Sequence, residues 1–308
     1  MQGLEIINSQ GLLDRKFLPA LSRIFTPIVM DSLTQRGYSP YLSEVCANSG
    51  FFSKIDSSMS VGDFFDSVYT LLFKSYRNEY IYKNALANKI LLGRHSLNTS
   101  RMLTEFRVGK SKADVIILNG SSTVYEIKSE YDTFNRLQNQ INSYLETFDF
   151  INVITSLNQA KKLSSILPDK VGILVLTDRN TISTIREAKT NKENFNPTKL
   201  FDSFRKNEYT KIIEEYYGTL PEVPNTLIFE ECKKLYCKIP PIPAHDLAIK
   251  ILKERINLAT IKDFFNKSPY SISAYAMSIC DQESKMNKLM NLLQGSIDFI
   301  HIPNNLSN

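Results

Sequence analysis

Two short apolar runs, residues 113–118 and 123–127, lie on either side of the dipeptide Asn119-Gly120. Asparagine and glycine both tolerate the positive φ angles that tight β-hairpin turns require. The sequence therefore predicts an antiparallel β-hairpin at this position. Because strand side chains alternate between two faces, the hairpin assigns each residue in both runs a face and a cross-strand neighbour.

Three ionisable residues lie at one end of the predicted hairpin. Asp114 is near the start of the first run, and Glu126 and Lys128 are at the end of the second. Alternation puts Glu126 and Lys128 on one face, and antiparallel pairing can bring them beside Asp114. Two converging carboxylates need a cation between them, and hard oxygen ligands suit Mg²⁺ or Mn²⁺. A nearby lysine can position water and offset charge on a phosphate, so the trio predicts phosphodiester hydrolysis.

The Glu-x-Lys pattern alone is not specific, because it occurs at three other places in the chain. Only the copy at Glu126 follows a hairpin signal and has an aspartate on the partner strand. A salt-bridged pair on a surface strand is the structural alternative. After Asp132 the apolar spacing predicts a helix, which carries Gln140 and Tyr144 four residues apart on one side.

This hairpin, followed by a helix with Gln-x-x-x-Tyr, resembles the PD-(D/E)xK nuclease superfamily, and within it the RecB-type nuclease domains. The chain is also similar to a poorly characterised bacterial family assigned to that superfamily, around NEYIYKNAL, GRHSLN, EFRVGKSKADVIILNG and YEIKS. The likeness covers roughly residues 75–190. Ala113 stands where the family's leading proline would precede the aspartate.

The resemblance implies catalytic roles for a set of matching residues, namely Asp114, Glu126, Lys128, Gln140 and Tyr144. The two acids would bind Mg²⁺ or Mn²⁺ together with the carbonyl of Ile127, and the lysine would be the catalytic lysine. Gln140 and Tyr144 would help to place the scissile strand. Relatives also carry a glutamate on the helix before the sheet. Glu79 is the candidate for that ligand, and a solvated helix charge is its alternative interpretation.

Basic side chains around the predicted hairpin are expected to contact nucleic acid, together with Gln140 and Tyr144. They are Arg107, Lys110 and Lys112. Such a cluster beside a carboxylate pocket would attract a polyanion while the metal site itself stays acidic. Glu105 could be a further acid of the site, and His95 a loop residue or a phosphate contact. The sequence leaves the roles of these two residues open.

The composition is that of a globular protein, since 43% of the 308 residues are hydrophobic and 22% are charged. A net charge of +5 permits nucleic-acid binding without requiring it. Four cysteines without a C-x-x-C pair predict reduced thiols in a cytoplasmic protein. No apolar run reaches the ~18 residues that would span a bilayer, and no secretory signal is apparent, so no membrane association is expected.

The predicted fold is α/β, a restriction-endonuclease-like mixed sheet flanked by helices, with additional, mainly helical N- and C-terminal regions. Three regions are expected: a helical segment over residues 1–62, the nuclease-like core over 63–190, and a mainly helical segment over 191–308. Ser60 with Asp63 predicts a helix start. His245-Asp246 is interpreted as another helix start, in preference to a metal site.

Further elements follow from the apolar spacing. Helices are predicted over residues 64–92, 159–167, 181–189 and 199–217, and strands over 150–155, 171–177, 227–229 and 234–239.

The predicted function is that of a metal-dependent nuclease, acting on DNA ahead of RNA, in DNA processing or in defence against phages and mobile elements. The helical flanks would select the substrate or a protein partner. Two alternatives stay open. One is a catalytically silent module of the same fold that binds nucleic acid or protein, and the other is a toxin or immunity partner.

Overall fold

The structure is a computed structural model that describes residues 15–49 and 58–297. Its strands are β1 Arg101–Val108, β2 Ser111–Leu118, β3 Ser122–Lys128, β4 Phe150–Thr155, β5 Gly172–Leu176 and β6 Ile182–Arg186. The helices before the sheet are α1 Leu18–Ser22, α2 Pro27–Arg36, α3 Pro40–Asn48, α4 Val61–Ser75 and α5 Glu79–Ala85. Those after β3 are α6 Leu137–Leu145, α7 Leu157–Ile166, α8 Pro197–Phe201, α9 Lys206–Tyr217, α10 Ile228–Tyr236, α11 Pro241–Lys253, α12 Leu258–Lys267, α13 Ser273–Ser278 and α14 Glu283–Gln294.

The chain divides into two compact units, which differ from the three regions expected from the sequence. The first contains residues 1–88 and 257–308, and the second contains residues 89–256. Within the first unit the buried amide of Asn84 donates to the carbonyl of Tyr270 at 2.9 Å and accepts from the N–H of Ala274 at 2.9 Å. These bonds join segments more than 180 residues apart. No local sequence pattern indicates that the C-terminal segment packs with the N-terminal one. The predicted region boundaries therefore differ from those of the two units.

The second unit is built on one six-stranded sheet with strand order β1-β2-β3-β4-β5-β6. Strands β1, β2 and β3 form an antiparallel meander. Strands β3, β4 and β5 are parallel, and β6 pairs antiparallel with β5. Every residue of β5 is buried, as expected for a strand covered on both faces by other elements. The predicted fold class, an α/β protein with a mixed sheet flanked by helices, is confirmed.

The predicted hairpin is β2–β3, but its turn differs from the predicted one. Leu118 and Ser122 form the last cross-strand pair, so residues 119–121 make the connection. Gly120 has a φ of 64°, whereas Asn119 is not among the non-glycine residues with positive φ. A three-residue loop needs only one left-handed position, and glycine adopts that conformation without steric cost.

The single helix expected over residues 199–217 is broken, because α8 ends at Phe201 and α9 begins at Lys206. Two further predictions of secondary structure are wrong. Residues 181–189, expected to be helical, contain the edge strand β6, where β-branched residues pair with β5. Residues 227–239, expected to contain two strands, instead contain α10. Ile228, Cys232 and Tyr236 are its buried residues, spaced four apart as on one helix face.

The expected helix over residues 64–92 is interrupted. It begins as predicted, because Ser60 Oγ accepts a hydrogen bond from the Asp63 N–H at 3.1 Å. However, α4 ends at Ser75, and Asn78 takes the extended backbone of a helix N-cap before α5. Within the described ranges, no helix has both the length and the hydropathy to cross a bilayer.

Candidate active site

The site lies where β2 and β3 separate. Their ladder ends at Val115 and Tyr125. Past this pair, the Asp114 carboxylate replaces the ladder, since its Oδ2 accepts a hydrogen bond from the Ile127 N–H at 2.7 Å. The N–H and C=O of one strand residue point to the same side, so the Ile127 carbonyl also faces the β2 side of β3. Asp114 and the Ile127 carbonyl, two of the predicted ligands, therefore share this gap.

The other predicted site residues make contacts between β3 and α6. Glu126 and Lys128 are on β3, and Gln140 and Tyr144 are on α6. Lys128 Nζ donates to Glu126 Oε1 at 2.8 Å and to Gln140 Oε1 at 3.1 Å. The Tyr144 hydroxyl contacts Glu126 Oε2 at 2.8 Å. Glu126 is only 1% exposed. The spacing of four residues between Gln140 and Tyr144 lets one helix bind both the lysine and the glutamate.

Tyr144 acts as a fixed donor in this cluster. Burial raises the pKa of its phenol well above the usual value, and the adjacent Glu126 and Asp114 carboxylates raise it further. The hydroxyl therefore stays protonated over the physiological pH range. Its single proton has two acceptors within reach, Glu126 Oε2 at 2.8 Å and the Lys112 carbonyl at 3.1 Å. Tyr144 thus holds the buried glutamate and ties α6 to β2.

Glu105 lies on β1 opposite Asp114, at an irregularity in the ladder. The pairs on either side are Thr104 with Val115 and Phe106 with Ala113, and Glu105 has a φ of 56°. A left-handed backbone is strained for a residue with a Cβ and occurs often at functional sites. A Glu105 carboxylate oxygen lies within 4.8 Å of an Asp114 oxygen.

We expect Glu105→Gly to be more stable than Glu105→Ala by about 1 kcal/mol. Both changes remove the carboxylate and its ion pair with Lys112, but only glycine relieves the left-handed strain. The midpoints of urea denaturation of the two variants would measure the difference. Equal midpoints would show that the backbone of Glu105 is not strained in solution.

The basic residues among the predicted nucleic-acid contacts lie near the β1–β2 turn, whereas Gln140 and Tyr144 are on α6. Arg107 and Lys112 are directly paired across the strands, and both are exposed, as is Lys110 in the turn. These basic residues lie near the end of β2 that contains Asp114. His95 lies near the opposite end of β2, where its Nδ1 is 2.9 Å from the Asn119 amide. Five residues of strand separate Asn119 from Asp114, about 17 Å.

Glu79 begins α5 in the first unit. Its half-exposed carboxylate pairs with Lys83 at 2.9 Å, an i,i+4 ion pair within the helix. Its predicted role as a metal ligand stays a prediction.

A second polar cluster, which is not predicted from the sequence, joins α11 to the start of β3. His245 Nε2 lies 2.8 Å from Ser122 Oγ and 3.2 Å from Asp149 Oδ2. Burial lowers the pKa of His245 and raises that of Asp149. Serine and aspartate approach the same ring nitrogen, which differs from a nucleophilic triad, where they use opposite nitrogens. The cluster therefore has a structural role.

The interpretation of His245 as a helix start is wrong, because α11 begins at Pro241. His245 is 3% exposed and faces the sheet, whereas its neighbour Asp246 is exposed. The position of this histidine within an apolar helical stretch is the sequence pattern that could have indicated a buried histidine with a polar partner.

The donor set at the gap between β2 and β3 is suited to a hard divalent cation. The Asp114 carboxylate and the Ile127 carbonyl lie at the gap, and the strand register places Glu126 next to Asp114. All three offer oxygen ligands of the kind that Mg²⁺ and Mn²⁺ prefer. Both Glu126 oxygens already accept a hydrogen bond, but each ionised carboxylate oxygen has a second lone pair. The residues present therefore fit a metal ion.

The fold and this cluster define a mixed α/β protein with a buried lysine–carboxylate site at diverging strands. The chain belongs to the family of bacteriophage P4 protein cII, whose family model matches residues 73–289. That range includes every candidate site residue from Glu79 to Tyr144.

Protein cII of Enterobacteria phage P4 is 24% identical over 105 residues, which are 33% of this chain and 36% of that protein. The chain thus matches about a third of that relative's length. Among solved structures, the SPO1766 protein of unknown function from Silicibacter pomeroyi is 21% identical, with a TM-score of 0.28. The match covers 39% of this chain and 81% of that one.

Proposed function

We propose that this protein is a metal-dependent nuclease that hydrolyses phosphodiester bonds, in DNA ahead of RNA. The observation that carries the proposal is the convergence of Asp114, Glu126 and Lys128 at the end of the β2–β3 ladder, braced by Gln140 and Tyr144. This is the arrangement that the PD-(D/E)xK resemblance requires. The choice of DNA rests on the same resemblance.

In this proposal Asp114, Glu126 and the Ile127 carbonyl hold Mg²⁺ or Mn²⁺. The ion would polarise the phosphate and lower the pKa of a bound water. Lys128 supplies the chain's own positive charge at the reacting phosphate. Gln140 and Glu126 hold its ammonium group in place, so that little reorganisation is needed when charge develops. Tyr144 fixes the orientation of Glu126.

Asp114→Asn is the most direct test, because asparagine still offers an oxygen to the Ile127 N–H but loses the charge. Wild type should cleave linear, circular or single-stranded DNA, or RNA, with Mg²⁺ or Mn²⁺ and not with EDTA. Asp114→Asn should fall below detection. Asp169→Asn, at a side chain 92% exposed, is the matched control and should cleave normally.

Two results would contradict the nuclease proposal. One is full cleavage by Asp114→Asn. The other is a wild-type protein that binds nucleic acid in EDTA and never cuts it with either metal, which would identify a catalytically silent binding module.

A further inference from the structure

A pocket of 460 Å³ lies at the carboxyl ends of the parallel strands β3 and β4. These strands end in register at Lys128 and Thr155, and the pocket is lined by the segments that follow them. In open α/β sheets, ligands bind outside the carboxyl ends of the strands. The volume is within the range of small-ligand sites, about 300–1,000 Å³.

One wall of the pocket is the beginning of α7, a helix of ten residues whose N-cap is Ser156. A serine at this position usually accepts a hydrogen bond from the second or third N–H of the helix. Here the side chain makes no such bond. Ser156 is 2% exposed, and its Oγ has no hydrogen-bond partner among the described residues.

An unpartnered buried hydroxyl costs about 1–3 kcal/mol, so its presence at a pocket wall points to a ligand that would bind it. The N–H groups of Gln159 and Ala160 bond back to the Ser156 carbonyl. The two preceding N–H groups, of Leu157 and Asn158, come before the first hydrogen bonds of the helix and have no partner within it. Ser156 Oγ and the helix start can therefore bind one group together.

The charge at this wall favours an anion. The N-terminus of a helix carries a partial positive charge and is a ready site for phosphate. Lys162, one turn further along α7, also lines the pocket. Two carboxylates also line the pocket, but Asp132 Oδ2 is already bound by the Ser129 N–H at 2.8 Å and the Ser129 hydroxyl at 2.6 Å. The other, Glu130, is exposed.

The pocket is directly connected to the candidate active site. Thr155 Oγ1 donates to the Lys128 carbonyl at 2.7 Å, and the Gln159 amide donates to the Ser129 carbonyl at 3.0 Å. Neighbouring strands lie about 4.8 Å apart, so a group held at the start of α7 is close to the end of β3. Phe134, a half-buried residue of the pocket lining, offers a ring against which a base can stack.

We propose that this pocket is a phosphate subsite, which binds a phosphate group of the nucleic-acid substrate next to the one that is cleaved. The inference rests on the proposed nuclease function for the identity of its ligand. The phosphate binds Ser156 Oγ, the first N–H groups of α7 and Lys162. It is either the terminal phosphate of a strand or an internal phosphodiester.

The test is a binding assay in EDTA, with fluorescent single-stranded oligonucleotides carrying a 5′-phosphate, a 3′-phosphate or hydroxyl ends. Ser156→Asp is the decisive variant, because aspartate caps a helix well but repels phosphate. It should keep or raise the melting temperature while weakening binding about tenfold or more. If Ser156 is only an unsatisfied N-cap, Ser156→Asp should have the same melting temperature but bind the oligonucleotides as tightly as wild type. That result would overturn the subsite.

Lys162→Met serves as a second variant on an exposed side chain, with Lys161→Met as its matched control. Loss of a phosphate contact should reduce the slope of log affinity against log salt by about 0.7, and the control should not. A preference of wild type for one phosphorylated end, lost in Ser156→Asp, identifies a terminal phosphate. Equal binding of all three, weakened in Ser156→Asp, identifies an internal one.

Because no metal is present, the assay is independent of cleavage. Weakened binding by Ser156→Asp together with an inactive wild type would sustain the subsite and reject the nuclease. If wild type cleaves nucleic acid but binds the oligonucleotides no more tightly than Ser156→Asp and Lys162→Met do, the subsite is rejected and the nuclease proposal stands.

Discussion

Lys128→Gln is expected to lower metal-dependent cleavage by about 10²–10³-fold, the typical cost of removing one preorganised electrostatic contact. Glutamine keeps an N–H donor for Glu126 and Gln140 but has no charge to oppose the one that develops on the phosphate. The lysine side chain is only 11% exposed, so its charge acts with little screening by water. Initial rates at saturating Mg²⁺ would measure the loss.

The control for this prediction is Lys110→Gln, at an exposed lysine in the β1–β2 turn. It should change the dependence on salt and leave the rate at saturation close to that of wild type. An equal loss in both variants would mean that Lys128 contributes only general positive charge. Oligonucleotide binding by Lys128→Gln in EDTA should be retained.

Glu126→Gln is expected to lower the free energy of unfolding by about 3 kcal/mol, because it leaves the Lys128 ammonium group buried without its counter-charge. The pair has side chains 1% and 11% exposed, so solvent cannot replace the lost interaction. The double variant Glu126→Gln/Lys128→Met should recover most of this loss, since no unpaired charge remains. Urea denaturation in EDTA, analysed as a double-mutant cycle, would measure the coupling.

The exposed pair of Lys112 and Glu105 is the matched control for this cycle. Its side chains are 57% and 40% exposed, and the same cycle should give a coupling of about 1 kcal/mol or less. Equal couplings for the two pairs would contradict the burial of the Glu126–Lys128 pair in solution. A free energy of unfolding of Glu126→Gln equal to that of wild type would also contradict the burial of this pair.

The proximity of the site residues was predictable, because it depends on two elements of secondary structure that are each formed by a short stretch of sequence. A hairpin of known register sets Asp114 near Glu126 and Lys128, and a helix of the right period brings Gln140 and Tyr144 to one side. The N-cap position of Ser156 was also predictable, because a serine follows the apolar strand β4 and precedes a helix, but that its side chain makes no capping hydrogen bond was not.

Other features had no local signal. The left-handed backbone of Glu105 results from the distorted pairing of β1 with β2. The contact of His245 with Ser122 spans 123 residues, and the hydrogen bond that the Ala274 N–H donates to Asn84 spans 190. The strand β6 lies where the sequence predicts a helix, because its pairing with β5, rather than the spacing of its own residues, determines its structure.

The sequence by itself determined the hairpin, its acids and lysine, and the helix that braces them, because alternation along a strand and periodicity along a helix act over a few residues. The tertiary structure alone decided how the chain divides into units, which helices return to the first one, and that Ser156 is buried without a partner at a pocket. Those features depend on contacts between residues far apart in the chain, whose free energy no short window of sequence contains.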